Sequence, residues 1–240
     1  MNYIIFGATS GLGKELAYKF ASKKKNLILC SRDKRDLIIL KYDLEIKFNI
    51  DVKIIKVDFT LDKSVSKILK KKNIFKLTEG VLFPIGLIYD KDIINLDEKK
   101  INNIFKANFL SVVKIITNYI KLKKSCSIIG FGSISGYLGR NQNTFYASSK
   151  RALESFFESI AFKNYDNNIN VQFYVLGYLD TNMSFGRNLL LPKGDLKKLS
   201  TKVYENKNVK FKKYFFPKWW FVISILLKTI PLRLIKYFTN

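Results

Sequence analysis

Short apolar runs rich in Ile, Val, Leu and Phe alternate along the chain with longer stretches whose apolar residues recur at helical spacing. The runs are YIIFG (3–7), NLILC (26–30), VKIIKV (52–57), VLF (81–83), CSIIGF (126–131) and INVQFYV (169–175). Helical patterns lie near 12–24, 34–47, 62–72, 98–121 and 144–163. Strands that read as continuous apolar runs are buried on both faces, so the alternation predicts an α/β fold, a doubly wound parallel sheet with helices on both faces. No internal repeat of fixed period is visible. Composition shifts near residue 200, after which the chain turns basic and then strongly apolar and aromatic. The expected division is one domain over residues 1–213 and an amphipathic helical extension over 214–240.

A chain of 240 residues with 48% hydrophobic and 15% aromatic content can bury a sizeable core. The net charge of +24 suits an anionic surface, but the lysines are spread along the chain and form no nucleic-acid-binding motif, so nucleic acid is not expected as a partner. Zero histidine removes histidine triads, histidine acid–base chemistry and most zinc sites, and no metal is expected. Cys30 and Cys126 sit in apolar runs and read as small buried residues of a reduced, cytoplasmic protein. The N-terminus passes directly into an apolar strand, with no basic leader.

The first apolar run leads into GATSGLG (7–13) and then a helical pattern. Glycines at 7, 11 and 13 allow close backbone approach to a pyrophosphate and present it to a helix N-terminus, where unpaired N–H groups favour anions. Gly7, Thr9, Ser10, Gly11, Leu12 and Gly13 are therefore candidate dinucleotide-binding residues on a Rossmann-like sheet. The next strand ends in LCSRD (29–33). NAD binders place a carboxylate there; Ser31 and Arg32 instead suit a 2′-phosphate, which favours NADP(H) over NAD(H). Asp33 reads as a helix N-cap. In KVDF (56–59), Asp58 either accepts from an adenine amino group or caps the following turn, with Phe59 beside it.

TFYASSK (144–150) places Tyr146 and Lys150 one helical turn apart on one face. An ammonium beside a phenol stabilises the phenolate and lowers its pKa from about 10. Ser133 lies thirteen residues before Tyr146 in GFGSISG (130–136), with Ser135 as its rival, and Asn108 lies in FKANFLS. With the glycine loop, this ordered set resembles the short-chain dehydrogenase/reductase family over residues 2–185. The resemblance implies hydride transfer between a nicotinamide and a carbonyl or alcohol carbon. Tyr146 is then the acid and base, Ser133 holds the same substrate oxygen, Lys150 reaches the nicotinamide ribose, and Asn108 holds a water that completes a proton relay. Gly86 and Thr181 border the nicotinamide, Thr181 through its carboxamide. Three positions depart from the family pattern. Phe6 replaces a threonine, FPIG (83–86) replaces N-N-A-G so that only Gly86 survives, and LG (176–177) replaces P-G.

The expected activity is NADPH-dependent reduction of an apolar or lipid-linked keto substrate. Rival readings are a non-catalytic nucleotide-binding scaffold, a membrane-surface protein, and an epimerase or dehydratase. The last two share Y-x-x-x-K with this chain but space the glycine loop differently and carry a larger second lobe. The longest uncharged run in the segment 214–238 is nine residues, Trp219–Leu227, against the roughly 20 that span a bilayer. Paired tryptophans and flanking lysines mark it as a substrate lid, a homo-oligomer interface, or a peripheral contact with an anionic membrane on the cytoplasmic side. Pro231 predicts two short helices meeting near 229–231.

Overall fold

The central apolar runs become strands buried on both faces, whereas VKIIK, at the sheet edge, is fully buried only at Val52. A computed structural model describes residues 2–90, 92–123, 125–139, 142–180, 191–229 and 231. The strands are β1 (Asn2–Phe6), β2 (Asn26–Ser31), β3 (Val52–Lys56), β4 (Thr78–Phe83), β5 (Ser125–Ser133), β6 (Asn168–Leu176) and β7 (Lys212–Phe216). They form one sheet in the order β3-β2-β1-β4-β5-β6-β7, parallel throughout. Strand order reverses between β1 and β4, which opens a crevice at their carboxyl ends, where ligands of such sheets bind.

Alternate side chains supply two cores. On one face Ile4, Phe6, Val81, Phe83 and Ile128 pack under α6 (Ser111–Leu122) and α7 (Thr144–Lys163). On the other, Tyr3, Ile5, Leu29, Leu82 and Ile129 pack under α1 (Gly11–Ser22), α2 (Lys34–Phe48) and α8 (Leu196–Asn206). Each fully buried aliphatic or aromatic side chain contributes roughly 1.5–3 kcal/mol. These two layers are therefore what fixes the crevice.

Three expectations change in the structure. The helical pattern near 62–72 ends at Leu69 as α3 (Asp62–Leu69) and is followed by a separate turn, α4 (Lys72–Lys76). The pattern at 98–121 is broken: α5 (Glu98–Phe105) passes into a π turn at Lys106–Leu110 before α6 begins. The boundary expected between 213 and 214 falls inside β7, which pairs with β6 from Gln172↔Lys212 to Leu176↔Phe216. Lysines hide this edge strand in the sequence. Lys213 is nevertheless half-buried, bound to Glu154 at 3.0 Å and Glu158 at 2.8 Å on α7. Beyond β7, α9 (Trp220–Thr229) packs on the turn Ile134–Tyr137. The second expected helix lies outside the described residues.

Candidate active site

The glycine loop joins β1 to α1 at the strand-order reversal. Gly7 has φ +90°, a conformation that favours glycine, and a Cβ at Gly13 would stand 2.1 Å from the Gly7 carbonyl oxygen. Ser10 caps α1: its hydroxyl accepts from Gly13 N–H at 3.1 Å and donates to Gly7 O at 2.8 Å. The first turn of α1 carries no acid, so its positive end is free to face an anion. Gly11 is exposed there and Leu12 is buried beneath it.

At the end of β2, the hydroxyls of Thr9 and Ser31 lie 2.6 Å apart, which ties the loop to that strand. Arg32 next to them is exposed. The carboxylate of Asp33 is turned into α2, where it accepts from Arg35 N–H at 2.7 Å and Asp36 N–H at 3.4 Å. The donor set at this corner is a hydroxyl pair and a guanidinium, with the neighbouring acid engaged elsewhere, and it fits a phosphate-bearing ribose. Asp58 Oδ1 accepts from both the amide and the hydroxyl of Thr60, at 2.9 and 2.7 Å, so it serves the turn. The Phe59 ring is in the core, edge-on to Phe6, and its carbonyl accepts from Ser111 Oγ at 2.7 Å.

The departures at Phe6 and FPIG form one packing unit. Phe6 and Phe83 stack at 4.9 Å with 8° between their planes. Two adjacent strand ends are thus joined by dispersion and burial. Pro84 still offers its carbonyl, 3.4 Å from Ser10 Oγ. Gly177 serves another close approach, since a Cβ there would meet the indole nitrogen of Trp220 at 1.7 Å.

Tyr146, Lys150 and Ser133 come together beside this crevice. Tyr146 and Lys150 lie in the first two turns of α7, and Ser133 ends β5. The Ser133 hydroxyl lies close enough to the Tyr146 phenol to act on its titration, and it accepts from Ser135 N–H at 3.2 Å. Lys150 is 4% exposed; its ammonium donates to Ile85 O at 2.7 Å and Phe131 O at 3.0 Å. Its Nζ is 5.8 Å from the centre of the Tyr146 ring.

The electrostatics correct one expectation. Burial pushes the Tyr146 phenol up to about 12, against which the nearby Ser133 hydroxyl acts to lower it. Burial also pulls Lys150 down from 10.5 to about 7. The phenol is therefore held in its protonated form, with desolvation the largest cause of the shift.

Asn108, fully buried in the π turn, braces the site. Its Oδ1 accepts from Leu87 N–H at 2.7 Å, and its Nδ2 donates to Leu87 O at 2.9 Å and Ser149 Oγ at 3.0 Å. Gly86 is exposed between Ile85 and Leu87. Thr181 lies outside the described residues. Sequence reasoning missed Asp92, whose carboxylate accepts from the amides of Phe145 and Tyr146 at 2.9 and 2.8 Å. These contacts join residues more than fifty positions apart, so no local pattern announces them.

Comparison with known proteins bears on the fold and the family. The chain is 28% identical over 228 residues to the very-long-chain 3-oxoacyl-CoA reductase of Podospora anserina, covering 90% of this chain and 67% of that protein. It is 29% identical over 204 residues to the reductase of the same name from Candida glabrata, spanning only 56% of that protein's length. It is also 29% identical to the 3-oxoacyl-(acyl-carrier-protein) reductase of Buchnera aphidicola, over 83% of this chain and 82% of that one. Among solved structures, a short-chain dehydrogenase from Sphingobium yanoikuyae in complex with NADPH superposes with TM-score 0.81 at 16% identity, over 96% of both chains. A bulky-bulky ketone specific alcohol dehydrogenase from Comamonas testosteroni gives TM-score 0.79 at 18% identity, over 96% of this chain and 95% of that one. The short chain dehydrogenase family model matches residues 2–188. An oxidoreductase of carbonyl and hydroxyl groups, the chain belongs to the short chain dehydrogenase family.

Proposed function

We propose that this protein is an NADPH-dependent reductase of 3-oxoacyl chains carried on a thioester or another polar head. The observation that carries the reading is the Ser133–Tyr146–Lys150 array at the carboxyl edge of the sheet, beside a glycine loop and a corner whose neighbouring acid, Asp33, is engaged by α2. The 3-oxoacyl substrate is taken from the names of the curated relatives.

Gly7, Thr9, Ser10, Gly11, Leu12 and Gly13 would hold the pyrophosphate, and Ser31 with Arg32 the 2′-phosphate. Asp58 and Phe59 would border the adenine through what their turn leaves accessible. Gly86, Lys150 and Thr181 would border the nicotinamide end. When bound, NADPH supplies the hydride that makes the keto carbon a secondary alcohol. Ser133 and Tyr146 direct their hydroxyls at the keto oxygen. Tyr146 is protonated at neutral pH, so it carries the proton that it would give as negative charge builds on that oxygen. Lys150, close to its midpoint at neutral pH, supplies positive charge to the phenolate left behind and can return a proton to it. Asn108 keeps the Leu87 segment and Ser149 in place around that ammonium.

The test is nucleotide oxidation over a panel of 3-oxoacyl thioesters of increasing chain length and bulky ketones, with NADPH and NADH in parallel. Turnover of the thioesters with NADPH supports the reading; turnover of ketones alone removes the acyl assignment.

A second reading concerns location. Helix α9 exposes Phe221, Val222, Ile225 and Leu226, each at least 49% exposed. The segment 207–229 contains no acid, while Lys207, Lys210, Lys212, Lys213, Lys218 and Lys228 are basic. Among the described residues no helix is long and apolar enough to cross a membrane. An apolar helical face with basic flanks suits peripheral contact with an anionic bilayer. Co-sedimentation with vesicles containing phosphatidylglycerol, against phosphatidylcholine alone, tests it; equal recovery with both excludes the electrostatic part.

A further inference from the structure

Helix α7 carries both Tyr146 and Lys150, yet it lacks a cap of its own. Its N-cap residue, Asn143, is left-handed at φ 64° and makes no side-chain capping bond. The first N–H groups of any helix have no partner within the helix. Here all three of the first turn go to one distant residue. Thr144 N–H donates to the main-chain oxygen of Asp92 at 3.1 Å, Phe145 N–H to Oδ1 at 2.9 Å and Tyr146 N–H to Oδ2 at 2.8 Å. Asp92 is 1% exposed. A carboxylate so buried is tolerated only where strong donors replace water, and a helix N-terminus supplies both donors and a favourable dipole.

Asp92 also ends a segment that is tied to the site at two earlier points. Ile85 O accepts from Lys150 Nζ at 2.7 Å, and Leu87 is gripped through both its N–H and its carbonyl by Asn108, at 2.7 and 2.9 Å. Ile85, Leu87 and Asp92 are therefore fastened in turn to Lys150, to the π turn, and to the first turn of α7. Two carboxylate oxygens on consecutive amides fix the axial position of that turn as well as its rotation. They act on the amide of Tyr146 itself.

We infer that Asp92 is a positioning residue for the proposed reduction: it sets where the Tyr146 phenol stands relative to Ser133. The inference rests on the reductase reading for its kinetic consequence. Its structural consequence does not depend on turnover. Misplacement of a reacting group by about 1 Å costs on the order of a hundredfold in rate.

The experiment compares parent, Asp92→Ala and Asp92→Asn. In Asp92→Ala, kcat measured well below the melting temperature is expected to fall about ten- to a hundredfold, with NADPH affinity within about twofold of the parent. Asp92→Asn keeps the shape and one acceptor oxygen but turns an amide donor toward the other N–H, so it is expected to recover part of the loss. It also stands in if the alanine variant does not fold. In carbon-13 spectra of ring-labelled tyrosine, the Tyr146 signal (identified by its absence in Tyr146→Phe) is expected to move in both variants. Lowered stability with unchanged kcat and an unmoved Tyr146 signal would overturn the inference and leave Asp92 a helix cap only. If the parent itself shows no turnover, the reductase reading fails, and the Tyr146 signal alone still decides whether Asp92 sets the phenol's position.

Discussion

The ammonium nitrogen of Lys150 lies 2.7 Å from the carbonyl oxygen of Ile85, deep enough that the side chain is 4% exposed. Burial brings its pKa from 10.5 to about 7. Between those values the unfolded chain holds the proton and the fold does not. The unfolded state is then the better proton binder, and stability rises as pH is raised across the window. Lys150→Met removes this term. Thermal unfolding from about pH 6.5 to about pH 9 should show the parent gaining stability relative to Lys150→Met; a constant difference would mean that Lys150 titrates normally.

Arg32 stands exposed where β2 ends, beside the Thr9–Ser31 hydroxyl pair. A guanidinium–phosphate bond contributes about 1.5–3 kcal/mol. Arg32→Ala should weaken NADPH by about tenfold to a hundredfold and leave NADH nearly unchanged. Titration calorimetry with both nucleotides measures this, and equal losses would remove the 2′-phosphate role.

Gly13 cannot accept a side chain without moving main chain, because its Cβ would stand 2.1 Å from Gly7 O. Gly13→Ala should therefore displace the loop, reducing affinity for NADPH and NADH alike, by more than about tenfold on the scale of one lost charge-assisted contact. Fluorescence titration with each nucleotide reads the result.

The stacked pair Phe6–Phe83 is fully buried. Phe83→Ala should cost about 3–5 kcal/mol, measured by urea unfolding. A loss below about 1 kcal/mol would show that the strand ends do not depend on this pair.

The sequence announced what is local. A glycine trio between a strand and a helix is a backbone requirement, and Y-x-x-x-K is one turn of helix, so both survive without tertiary information. Asp33 is legible as a cap for the same reason. Asp92 is not, because it caps a helix 53 residues away. The π turn at Lys106–Leu110 is hidden because one extra residue barely disturbs an apolar period. β7 is hidden because its lysines read as surface, although Lys213 reaches back to Glu154. The expected lowering of the Tyr146 pKa by Lys150 also failed for a non-local reason: spacing says nothing of desolvation, which dominates both groups.

The most direct measurement is the rate of NADPH oxidation with a 3-oxoacyl thioester for the parent and Tyr146→Phe, alongside the affinity of each for NADPH. The phenylalanine keeps the ring and deletes only the acidic hydroxyl. The expected result is a rate lower by about a hundredfold or more with nucleotide affinity preserved. A Tyr146→Phe variant that reduces the thioester at the parent's rate would contradict the assignment of the buried phenol as the proton donor.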